Sequence, residues 1–88
     1  KIGSSPDVRI IRMRKVPFID STGLNNLSNL IRMSKKDKTV IVLSGVNEQV
    51  RNAIKKANID KRIGDENICN NITEALARAE KIIAKNKK

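Results

Sequence analysis

The sequence predicts an α/β domain with a parallel sheet, and three observations carry that reading. Runs rich in Val and Ile alternate along the chain with stretches in which apolar residues recur at helical spacing. Residues 39–43 (TVIVL) are apolar without interruption after Thr39, the pattern of a strand buried on both faces. Two polar, glycine-containing turns, one at Asp20, Ser21, Thr22 and Gly23 and one at Ser44 and Gly45, each lead from a strand into a helix. The resulting order β-α-β-α-(β)-α calls for right-handed crossovers over a parallel sheet.

Residues 1–7 (KIGSSPD) are turn-rich with Pro6 as a breaker and read as a loop. Residues 8–13 (VRIIRM) read as the first strand, interrupted by Arg9 and Arg12. Arg14 and Lys15 separate it from residues 16–19 (VPFI), which either continue the strand or link it to the turn. Leu24, Leu27, Leu30 and Ile31 fall at helical spacing and predict a helix from about Ser21 to Ser34. The lysine-rich stretch at its end suits the negative pole of the helix.

The second strand, residues 39–43, passes through Ser44 and Gly45 to Asn47, a good N-cap for a helix running to about Ala57 with Val50, Ile54 and Ala57 as its buried stripe. Residues 59–64 form a loop or a short helical turn, and Asn67, Ile68 and Cys69 offer a last short strand. Asn71 with Glu74 has the form of a capping box. The helix that follows should bury Ile72, Ala75, Leu76, Ala79 and Ile83 before ending in the basic residues 85–88. Leu24, Leu27, Ile41 and Leu76 are the expected core. Three amphipathic helices over two sure strands leave the sheet short of strands, so a single domain spanning residues 1–88, incomplete at its N-terminus, is expected.

Eighty-eight residues allow one small domain of modest stability. Phe18 is the only aromatic residue, so the core must be aliphatic. The single cysteine, Cys69, excludes an internal disulfide and suits a reducing compartment, where it reads as a packing residue. The net charge of +10 reads as a solvated surface. Nucleic-acid readers interleave basic groups with aromatic ones, and this chain lacks Tyr and Trp, so nucleic acid is not an expected partner. No apolar run approaches the ~20 residues needed to span a bilayer, and a soluble domain is expected.

Enzyme constellations are missing. Without histidine there is no Ser–His or Cys–His pair, no cluster has zinc-ligand spacing, and no glycine-rich phosphate loop follows a strand. The reading is of a non-enzyme with no catalytic residue, cofactor or metal. The chemistry that remains lies at the turns. The start of the first helix gathers free N–H groups and the positive pole of the helix, where Asp20 or Ser21 caps the helix or a phosphoryl group or anion is held. Gly23 either permits close approach of a partner's backbone or a nearby strand, or relieves crowding. In a parallel sheet Ser44 and Gly45 lie on the same carboxyl-end edge, giving a docking face formed by Asp20, Gly23, Ser44, Gly45 and Asn47.

Residues 8–13 followed by VPFIDSTGL (16–24), VLSGV (42–46), IGDENI (63–68) and ALARA (75–79) occur in an order that resembles STAS domains. That superfamily includes bacterial anti-sigma-factor antagonists and the cytoplasmic domains of SulP-type anion transporters, and the last three segments resemble the bacterial SulP branch. The resemblance implies an anti-sigma-factor-antagonist-like α/β fold, a mixed sheet flanked by helices, with strands and a helix preceding Val8 that are absent here. It implies a regulatory domain on the cytoplasmic face of the bacterial inner membrane, attached to an upstream transmembrane transporter domain. Cytoplasmic protein partners, and a homo-oligomer through the parent transporter, are implied with it. An anionic membrane surface would meet Lys81, Lys85, Lys87 and Lys88. In the antagonist branch the hydroxyl after the aspartate is phosphorylated, which corresponds to Ser21, with Thr22 adjacent. The alternative is therefore a free-standing anti-sigma factor antagonist switched at Ser21. Nucleotide binding, proposed across the superfamily, finds no phosphate-cradling motif here.

Overall fold

The computed structural model describes residues 7–86. Along it run β1 (Val8–Arg12), α1 (Ser21–Lys36), β2 (Val40–Ser44), α2 (Glu48–Lys56), α3 (Ile59–Ile63), a 3-10 turn (Asp65–Asn67) and α4 (Ile72–Asn86). The two strands pair in parallel, from Val8 opposite Val40 to Arg12 opposite Ser44. The expected loop before Val8 and the basic end after Asn86 lie outside the described residues, apart from Asp7.

Strand alternation divides the apolar residues between two cores. On one face Ile11, Ile41 and Leu43 meet Leu27 and Ile31 of α1, Val50 and Ile54 of α2, and Ile59 and Ile63 of α3. On the other, Val8, Ile10, Val40 and Val42 meet Cys69 and the Ile72, Ala75 and Ile82 side chains at α4. The sheet is thus covered on both faces, which is why residues 40–43 carry no polar alternation. Burying each such aliphatic side chain contributes about 1.5–3 kcal/mol.

Several expectations need correction. Leu76 is 51% exposed and Ile83 is 37% exposed; the buried residues of α4 are Ala75, Ala79 and Ile82. Both stripes share helical spacing, and packing chose the side whose alanines let the helix approach the sheet closely. Ala57 is exposed because it is the C-cap of α2, so that stripe ends at Ile54. Leu24 is only half-buried at the rim of the first core, whereas Leu27 and Ile41 lie inside it.

The last short strand is reduced to one parallel bridge, Leu43 to Ile68. Cys69 N–H donates to Leu43 O at 2.8 Å and Val46 N–H donates to Cys69 O at 3.1 Å, after which the chain turns away. Side chains hold this segment in place. Arg78 Nε donates to Asn67 Oδ1 at 2.7 Å, Asn67 Nδ2 donates to Ile63 O at 2.7 Å, and Arg51 donates to Ile68 O at 3.2 Å. Residues 16–19 are the link and not a strand. At the start of α4, Glu74 N–H donates to Asn71 Oδ1 at 2.8 Å, while the Glu74 carboxylate accepts from Asn70 N–H, one residue earlier than a standard capping box.

Candidate functional site

The loop from β1 to α1 is built by short-range contacts and one long-range anchor. Met13 N–H donates to Ser44 O at 2.7 Å, extending the strand pairing by one residue, and Val16 N–H donates to Met13 O at 3.0 Å to close a turn over Arg14 and Lys15. Val16 and Ile19 then pack against the first core, while Pro17 and Phe18 face solvent. Phe18 is 67% exposed. Val16 and Ile19, which bracket Pro17 and Phe18, are pulled inward, so the ring is held out from the core.

The anchor is Asn47. Its Oδ1 accepts from Val50 N–H at 2.7 Å and so caps α2. Its Nδ2 donates to Val16 O and to Pro17 O, each at 3.1 Å. One side chain therefore starts the second helix and holds the loop that leads into the first.

Asp20, and not Ser21, is the N-cap of α1, its carboxylate accepting from Gly23 N–H at 2.9 Å. Ile19 and Leu24 occupy the positions of a hydrophobic staple and pack against the same core. Gly23 makes room for this arrangement, since a β-carbon there would stand 2.7 Å from Ile19 Cγ1. The expected approach of another backbone is not what occupies that space. Ser21 and Thr22 are exposed in the first turn, and neither hydroxyl has a hydrogen-bond partner among the described residues.

Asp20, Ser21, Thr22 and Asn47 all reach solvent, and the bonds of Asn47 tie the two turns together. Ser44 departs from the expected docking face: it is 2% exposed and lies at the floor of a pocket open to solvent, because β2 continues through it. Gly45 has φ +72° and is half-buried against the Arg14 backbone. The sequence reading did not single out Phe18 as a surface residue, although a lone aromatic beside a polar turn was the available signal. The second role of Asn47 left no local signal, since its partners lie some thirty positions earlier.

Asp20 is occupied as a cap, and no basic side chain hydrogen-bonds the hydroxyls of Ser21 or Thr22. Among the described residues no group of three or more Cys, Asp or Glu is placed to hold a metal ion, and no helix is long and apolar enough to cross a membrane. Burial pushes the Cys69 thiol above its ordinary range, with Glu74 adding to the shift and Arg51 and Arg78 partly offsetting it. An inert, packed thiol results.

Fold and turn together define a small α/β domain with a capped helix start, two free hydroxyls and one exposed aromatic ring at its surface. A model of the STAS domain family matches residues 3–75, and the chain belongs to that family. It is similar to the crystal structure of a sulfate transporter family protein from Wolinella succinogenes, with 34% identity over 94% of this chain and 68% of that one, at a TM-score of 0.88. It is equally similar in fold to the STAS domain of a SulP transporter from Vibrio cholerae, with 32% identity over 97% of this chain and 66% of that one, at a TM-score of 0.88. The chain thus spans about two thirds of each of these structures. No curated protein sequence matches it.

Proposed function

We propose that this chain is the non-catalytic cytoplasmic regulatory domain of a SulP-type sulfate or anion transporter, docking a protein partner at the start of α1. The observation that carries the reading is the combination of Phe18, 67% exposed on a loop pinned by Asn47, with the exposed residues Asp20, Ser21 and Thr22 beside it. A loop pinned by side-chain hydrogen bonds has less conformational entropy to lose on binding than a free one, and aromatic rings are frequent anchors of interfaces. The likeness to a SulP transporter STAS domain supports this cellular setting.

Anion uptake by the parent transporter carrying Phe18→Ala or Ser21→Asp is the test. Uptake should change while the amount of transporter in the membrane stays constant. Uptake equal to that of the parent in both variants would remove the docking role.

The free hydroxyl of Ser21 favours one further reading, a free-standing anti-sigma factor antagonist switched by phosphorylation. The coding sequence upstream of Lys1 separates the two. A transporter requires a series of apolar segments of about 20 residues there, and an antagonist has none.

A further inference from the structure

A second site lies on the opposite face of the sheet from α1. Arg12 and Ser44 face each other across the parallel pair, and alternation sends both to the side occupied by α4, in line with Val8, Ile10, Val40 and Val42. There they line a cavity of about 210 Å3 together with Arg14, Gly45, Asn70, Asn71 and Ile72. The position is the carboxyl end of the parallel strands, where open α/β sheets place their ligands.

Every polar side chain of this lining is left with donors to offer. Neither Arg12 nor Arg14 has a carboxylate or other hydrogen-bond partner among the described residues, and the lining contains no acid. Asn70 Oδ1 already accepts from Arg51 at 3.0 Å and Asn71 Oδ1 already accepts from Glu74 N–H, so each amide has its NH2 group free. Ile72 opens the fifteen-residue helix α4, whose first N–H groups and positive pole are at this end. Ser44 is 2% exposed, yet its hydroxyl has no partner among the described residues. A ligand in the cavity would give that hydroxyl a partner.

We propose that this cavity binds a tetrahedral oxyanion, a sulfate or a phosphate group, held by the Arg12 and Arg14 guanidinium groups, the Asn70 and Asn71 amides and the Ser44 hydroxyl. Arginine forks match the paired oxygens of such an anion. The cavity is small beside the pockets of about 300–1,000 Å3 that take drug-sized molecules, as suits a single tetrahedral group. The phosphate can be a free ion or the terminal phosphate of a lipid headgroup.

Titration of the full chain with sodium sulfate and with sodium phosphate, at ionic strength held constant with chloride, tests the site. Amide resonances of Ser44, Gly45 and residues 70–73 should shift saturably. Arg14→Gln, in an exposed loop, and Arg12→Gln should each weaken binding by about ten-fold or more, and Arg32→Gln on the outer face of α1 should not. Sedimentation with phosphatidic acid vesicles, against phosphatidylcholine vesicles, separates the two sources. Vesicle binding lost in both variants supports the site with a headgroup as its ligand, and response to the free ions alone supports it with a soluble one. Shifts that spread over the basic surface, that equal those in chloride, or that survive both substitutions overturn the proposal, as does the absence of any response in both arms.

Discussion

A β-carbon placed on Gly45 would stand 2.9 Å from both the Cα and the N of Arg14. The turn after β2 therefore rests directly on the backbone of the turn after β1. With φ at +72°, Gly45 also holds a conformation that other residues adopt at a cost. These two turns carry the exposed loop and the oxyanion cavity, so their contact sets the geometry of both.

Gly45→Ala should destabilise the domain by on the order of 1–3 kcal/mol, because both the backbone conformation and the contact become unfavourable. Urea unfolding should show a lower midpoint with an unchanged slope. Gly23→Ala should be milder. Its β-carbon meets the Ile19 side chain, which can shift, and alanine in a helix recovers about 1 kcal/mol of propensity.

Asn47→Ala and Asn47→Asp should separate the two roles of that residue. Alanine removes the cap, at a cost of about 0.5–2 kcal/mol, and releases the Val16 and Pro17 carbonyls. Aspartate keeps the acceptor for Val50 N–H but loses the Nδ2 donors, so stability should stay near that of the parent. Amide hydrogen exchange at Val16, whose N–H donates to Met13 O, should accelerate in both variants, and protection at Val50 should fall only in the alanine variant.

Leu76→Ala should change stability by no more than about 0.5 kcal/mol, as expected for a surface substitution. Ile54→Ala, at a position with no exposed area, should cost about 2–5 kcal/mol. Equal losses in thermal denaturation would place Leu76 in a core it does not occupy here.

Cys69 should react slowly with iodoacetamide at pH 8 in the native state and rapidly in denaturant, since burial holds the thiol protonated. The folded form binds this proton more tightly than the unfolded form. Its contribution to stability is therefore fully present below the unfolded pKa of about 8.5 and is lost as pH rises through the higher folded value. Cys69→Ala should flatten that part of the stability profile.

Ser21→Asp should leave the fold intact, because a negative charge in the first turn of α1 is favourable by about 0.3–1 kcal/mol, offset in part by Asp20 next to it. Circular dichroism and the unfolding midpoint should match those of the parent, while a phosphomimetic effect should be confined to partner binding and transport.

Local pattern was sufficient wherever one element's own residues decide its form. The helix at 21–36, the strand at 40–44 and the caps at Asn47 and Asn71 follow from periodicity, β-branching and capping chemistry within a few positions. The turn carrying Asp20, Ser21, Thr22 and Gly23 was legible for the same reason, and the STAS segments stand in family order along the chain. Tertiary structure alone decided which of two equivalent stripes on α4 faces the sheet, since Leu76 and Ala75 satisfy the helical repeat equally and only the proximity of β1 and β2 favours the smaller side chain. It also decided that Asn47 holds Val16 and Pro17, that Gly45 rests on Arg14, and that Ser44 is withdrawn from the surface into a cavity shared with Arg12. Each of these relations joins residues 30 or more positions apart, and a contact made between distant segments leaves no mark in the periodicity of either segment that makes it.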